Sequence, residues 1–108
     1  EELHVAVTVF QSDSEAEFVR RIHQAHEDGS SAVVVNAGAW THYSYAIADA
    51  LAILRIPIVE VHMSNVHARE PFRHHSVLSG VARGSVCGFG VDSYLLGLRA
   101  AVGQLEQE

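Results

Sequence analysis

In the run Ile58-Val59-Glu60-Val61-His62, a two-residue period puts Ile58, Glu60 and His62 on one face and the two valines on the other. A carboxylate two residues before a histidine, on the same strand face, can hydrogen-bond the imidazole, favour its protonated form and fix its tautomer. That is how a general acid working near neutral pH is built. The plainer alternative is a strand-end histidine that caps a loop. Asn36 closes another apolar run and leads into Ala37-Gly38-Ala39, with His42 in the first turn of the helix expected next. The amino end of that helix offers N–H groups to an anion, which suits a carboxylate substrate. Asp49 lies seven residues after His42, about two helical turns, so the two share a stripe. Asn36 could equally only close a turn, and Asp49 only solvate a helix face. Arg69 and Arg73, four apart, could hold a carboxylate or polyhydroxy ligand by paired hydrogen bonds. The alternative for them is a charged surface loop in which Glu70 and Asp49 are casual partners.

The composition narrows the chemistry. All seven basic residues among the 108 are arginines. A Schiff base on a lysine of this sequence and a Walker A phosphate loop are therefore both excluded. A net charge of −6 makes a phosphate backbone a poor partner, so nucleic acid is not expected. No apolar run reaches the ~18 residues of a membrane span. A single cysteine, Cys87, excludes a disulfide framework within one chain and fits a reducing, cytoplasmic setting; it reads as a small apolar strand residue. His23 and His26 could hold a metal weakly, but a hydrated helix face is the simpler reading. No HExxH or paired-cysteine spacing occurs, so no metal is expected. Of the three tyrosines, Tyr43, Tyr45 and Tyr94, none has an obvious place as a base at a strand end.

These residues need elements to hold them. Leu3 to Phe10 alternates and predicts a strand. Ser12 with Glu15 fits a capping box ahead of a helix carrying Phe18, Val19, Ile22 and Ala25, ended by Gly29. Ala32 to Val35 predicts a buried parallel strand. A helix follows from about Thr41 to Leu54, with Ile47, Leu51 and Leu54 on its core stripe. Ile58 to His62 is the next strand, and Ser76 to Ala82 is weakly helical. Val86 to Phe89 is the last strand. Asp92 can cap a final helix with Tyr94, Leu95, Leu98 and Val102 at helical spacing. Alternating strands and helices predict one α/β domain with a parallel sheet over residues 1–108. Such sheets place ligands outside the carboxyl ends of their strands. Here those ends carry Gln11-Ser12, Asn36, His62-Met63-Ser64-Asn65 and Gly88 to Gly90.

Taken together, the segments Gln11 to Glu15, Asn36 to Ser44, Asp49-Ala50, Glu60 to Ser76 and Gly88 to Tyr94 resemble type II 3-dehydroquinate dehydratase. The resemblance implies a flavodoxin-like, doubly wound parallel sheet in three α/β/α layers. It also implies a cofactor-free, cytoplasmic homo-oligomer, a dodecamer built of trimers, that converts 3-dehydroquinate to 3-dehydroshikimate by anti elimination through an enolate. By the same resemblance His62 is the general acid, Glu60 its electrostatic partner and Asn36 a substrate-binding asparagine. The backbone at Met63 and Ser64, with the Ser64 side chain, holds the ring carboxylate. His42 and Arg73 bind ring hydroxyls, Asp49 reaches the active site of a neighbouring subunit, and Arg69 helps tune the catalytic tyrosine. The family carries that tyrosine on a lid that follows a first strand, and neither matches residues of this sequence. The 108 residues are therefore expected to be a partial chain that opens at the family's second strand. The competing expectation is a flavodoxin-like binding or assembly module without catalysis.

Overall fold

A computed structural model describes residues 5–106. Three parallel strands form its sheet: β1 (Val33–Val35), β2 (Ile58–His62) and β3 (Gly84–Cys87), in that spatial order. Val35 stands opposite Glu60, and His62 opposite Cys87. All five residues of the central strand β2 are buried, as a strand covered on both faces must be.

Three helices cover the sheet. On one face lie α1 (Glu15–Glu27) and α2 (Tyr45–Ile53), whose Ile22, Ile47, Ala50 and Leu51 form a core with Val35, Ile58 and Leu78. On the other lies α3 (Asp92–Glu106), with Ala101 packed among Val59 and Val61. The valines of β2 thus face α3, while Ile58, Glu60 and His62 share the opposite face, as the two-residue period requires.

The details depart from the expected elements in ways that packing explains. Leu3 and His4 lie outside the described residues. Val5 to Phe10 form no strand, and Val9 is 82% exposed. Alternation supplies only a pattern, and a strand also needs a ladder partner; among the described residues this segment has none. The cap of α1 sits two residues beyond the expected Ser12. Ser14 Oγ accepts from Glu17 N–H, while Ser12 Oγ donates to the Glu17 carboxylate and accepts from Ser14 N–H. The expected Thr41–Leu54 helix divides into a 3-10 turn, Gly38–His42, and α2. Ser44 caps α2 by accepting from Ile47 N–H and donates its own hydrogen to the Glu15 carboxylate. Residues 76–82 form turns, not a helix, with Val81 and Ala82 N–H both donating to the Leu78 carbonyl.

The last strand begins at Gly84, two residues earlier than expected. The α3 stripe is also rotated: Ser93, Gly97 and Ala101 are buried, whereas Leu95 is exposed. Close approach is the cause. A Cβ at Gly97 would stand 2.5 Å from Val61 Cγ1 and 3.3 Å from Val34 Cγ1, so only small residues fit where α3 crosses the sheet.

Candidate active site

β2 ends at His62, directly beside the Asn36 end of β1, so the strand-end rule places both at one mouth of the sheet. A cavity of about 300 Å³ opens there, lined by Asn36, Gly38, His42, His62, Met63, Ser64, Val66, Arg69 and Arg73. Seven of the nine residues singled out from the sequence therefore meet. Of the other two, Glu60 stands behind His62, and Asp49 lies exposed on α2 without lining the cavity.

His62 and Glu60 are 8% and 3% exposed, and His62 Nε2 lies 2.7 Å from Glu60 Oε2. A buried carboxylate is tolerable only when its oxygens are paired. The second oxygen, Oε1, accepts from Ser76 Oγ at 3.1 Å, and Ser76 in turn accepts from Leu78 N–H. With Nε2 donating to the carboxylate, Nδ1 is the nitrogen left to exchange a proton with a ligand. Ser76 ends the Glu60 to Ser76 segment, and the sequence alone assigns it no role at the site. Its contact with Glu60 crosses sixteen residues, which no local spacing reveals.

His42 stacks near His62, with ring centroids 6.2 Å apart and planes 18° from parallel. Its Nδ1 donates to the His75 carbonyl at 2.7 Å, which leaves Nε2 as an acceptor for a ligand hydroxyl. The expected helical stripe joining His42 to Asp49 does not form. His42 ends the 3-10 turn, and the chain turns at Tyr43-Ser44 before α2 begins. Asn36 Oδ1 accepts from Gly38 N–H at 3.0 Å, and Nδ2 donates to Tyr94 Oη at 2.7 Å. Sequence spacing gives Tyr94 no link to Asn36, because their 58-residue separation is closed only by the fold.

The segment after β2 makes two short 3-10 turns, Val66–Ala68 and Pro71–His74. Asn65 caps the first by accepting from His67 N–H, and Pro71 starts the second. They bring Arg69 Nη1 to 3.3 Å from Ser64 Oγ and Arg73 Nε to 2.7 Å from the Glu70 carboxylate. Glu70's own backbone N–H, and then the Arg73 hydrogen bond, hold its carboxyl below the ordinary glutamate range. Glu70 takes the Nε edge of Arg73, so the terminal N–H groups are the ones able to turn to a ligand. The Gly88-Phe89-Gly90 turn is fastened to the end of β2: Gly88 N–H donates to the His62 carbonyl and Gly90 N–H to the Met63 carbonyl. Both glycines hold positive φ, 99° and 61°, which side-chain-bearing residues rarely adopt.

A doubly wound α/β sheet with a buried histidine–carboxylate pair flooring a polar cavity defines the class: an enzyme equipped for acid–base chemistry on a small polar ligand. The chain belongs to the family described as dehydroquinase class II, whose model matches residues 1–102. It is 70% identical over 101 residues to the 3-dehydroquinate dehydratase of Leptothrix cholodnii, covering 94% of this chain and 68% of that protein. It is 65% identical over 107 residues to that of Syntrophotalea carbinolica, covering 99% and 72%. Among solved structures, the type II dehydroquinase from Propionibacterium acnes superposes with a TM-score of 0.88 at 48% identity, over 94% of this chain and 74% of that one.

Proposed function

We infer that this protein is a hydro-lyase that dehydrates 3-dehydroquinate to 3-dehydroshikimate, a step of the shikimate pathway. The observation that carries the reading is the buried Glu60–His62 pair at the floor of the cavity. In the reaction a base takes the proton next to the ketone; by resemblance to the family this base is the lid tyrosine, which matches none of these residues. An enolate forms, and the hydroxyl on the neighbouring carbon departs as water from the opposite side of the ring. Hydroxide is a poor leaving group, so the chief need is an acid at that oxygen. His62 supplies the proton and Glu60 stabilises the charged ring. The backbone at Met63 and Ser64 holds the substrate carboxylate, with the Ser64 hydroxyl assisting. Asn36, His42 and Arg73 hold the ring oxygens, and Arg69 supports the base. None of Tyr43, Tyr45 and Tyr94 is assigned as that base.

We read the described residues as one domain of the enzyme. Asp49, exposed on α2, fits a residue that completes a neighbour's site within a closed oligomer, a dodecamer built of trimers, in the cytoplasm. The test is the appearance of the conjugated enone in the ultraviolet when the full protein meets 3-dehydroquinate, repeated after borohydride treatment with substrate present. Retained turnover is expected, because no lysine of this sequence can form a Schiff base. Borohydride-dependent inactivation would overturn the mechanism.

A further inference from the structure

Asn36 lies at the end of β1, but half of what orients its side chain comes from α3, on the far face of the sheet. Gly38 N–H can only donate, so the atom facing it must be Oδ1. That choice turns Nδ2 toward Tyr94 Oη, 2.7 Å away, which accepts. An amide group has two N–H bonds, and Tyr94 uses one. The other remains to be offered to the cavity that Asn36 lines.

The phenol that makes this contact is itself held in place. Phe89 N–H donates to the buried Ser93 Oγ, and Ser93 N–H to the Gly90 carbonyl. Gly88 and Gly90 N–H tie the same turn to the carbonyls of His62 and Met63. One turn further along α3, Gly97 lies tight against Val61, the residue before His62. The start of α3 is therefore in register with the acid end of β2, and Tyr94 carries that register across to Asn36. Tyr94 is 40% exposed, so its hydroxyl makes the Asn36 contact from the rim of the site.

We propose that Tyr94 is a positioning residue for the dehydration: its hydroxyl holds the Asn36 amide so that one N–H points at a ligand oxygen. The proposal rests on the functional reading above, which assigns Asn36 to substrate.

The test is a double-mutant cycle in the full protein, with 3-dehydroquinate as substrate: wild type, Tyr94→Phe, Asn36→Ala and the pair. Phenylalanine keeps the ring and removes only the hydroxyl. Tyr94→Phe should lower kcat/KM by about three- to tenfold, the range of one lost hydrogen bond, and leave the thermal midpoint unchanged. In the Asn36→Ala background the same change should do nothing. A Tyr94→Phe enzyme with wild-type kcat/KM overturns the proposal, as does an equal loss in both backgrounds. A readout free of catalysis separates this proposal from the functional reading. The two side-chain amide protons of Asn36, inequivalent in their hydrogen bonding, should shift in the NMR spectrum of Tyr94→Phe. An unchanged Asn36 signal overturns the proposal even if the wild-type protein fails to dehydrate 3-dehydroquinate, whereas that failure with a shifted signal overturns the functional reading alone.

Discussion

Replacing Glu60 by glutamine removes one charge and almost no volume, so it isolates what the carboxylate does for His62. The geometry survives the exchange. The glutamine oxygen can take the place of Oε2 and accept from His62 Nε2, 2.7 Å away. Its NH2 then faces Ser76 Oγ and donates to a lone pair beside the one used by Leu78 N–H, while the Ser76 hydrogen, which donated to Oε1, must turn away. What is lost is the charge assistance. Hydrogen bonds to charged groups contribute about 1.5–3 kcal/mol and neutral ones about 0.5–1.5 kcal/mol, so the protonated ring loses roughly 1–1.5 kcal/mol. At 1.36 kcal/mol per tenfold, kcat should fall about tenfold. KM should change little, because Glu60 stands behind the ring and touches no ligand. Stability in urea should fall by only about 1 kcal/mol, since every polar heavy atom keeps a hydrogen bond and only the Ser76 hydrogen loses its acceptor. Glu60→Ala is the contrast: it strands the Ser76 hydroxyl and opens a cavity, so it should lose stability as well as rate. Initial rates of enone formation and urea titrations report both quantities. A Glu60→Gln enzyme with wild-type kcat, or one that loses stability as severely as Glu60→Ala, would refute this division of roles.

Gly97→Ala should destabilise the protein by about 1–3 kcal/mol in urea unfolding, because the new methyl carbon meets Val61 Cγ1 at 2.5 Å; an unchanged midpoint would mean that α3 is free to move off the sheet. Glu70 has a depressed carboxyl pKa in the folded state, so its contribution to stability is present above its unfolded value and is lost as pH falls through the folded one. An NMR titration should place its midpoint below that of free glutamate and move it upward in Arg73→Ala; a midpoint that ignores Arg73 contradicts the pairing.

The Glu60–His62 end of the site was legible because its information is local. A strand fixes the relation of Glu60 to His62 by period alone, and parallel α/β topology puts strand ends together. The helix cores around Ile22 and Ile47-Leu51 were legible for the same reason. Three kinds of feature were not. Leu3 to Phe10 has the alternation of a strand, but pairing depends on a neighbour that the segment itself does not encode. Periodicity puts the α3 stripe on its large residues, Tyr94, Leu95, Leu98 and Val102, whereas close packing selects Ser93, Gly97 and Ala101. Small residues carry little hydrophobic signal, so the face they form is invisible to periodicity. The contacts of Ser76 with Glu60 and of Tyr94 with Asn36 join residues 16 and 58 apart, and only tertiary structure brings them together. The break at Tyr43-Ser44 belongs to the same group: Ser44 is a good cap, but a helix running through it fitted the apolar pattern equally well.

The central claim is that His62 donates the proton to the departing hydroxyl. Its most direct measurement is the turnover of His62→Ala in the full protein at saturating 3-dehydroquinate. Loss of a general acid predicts a kcat lower by about 10²–10⁴-fold with a much smaller change in KM. An enzyme lacking the His62 imidazole that still forms the enone at the wild-type rate would contradict it.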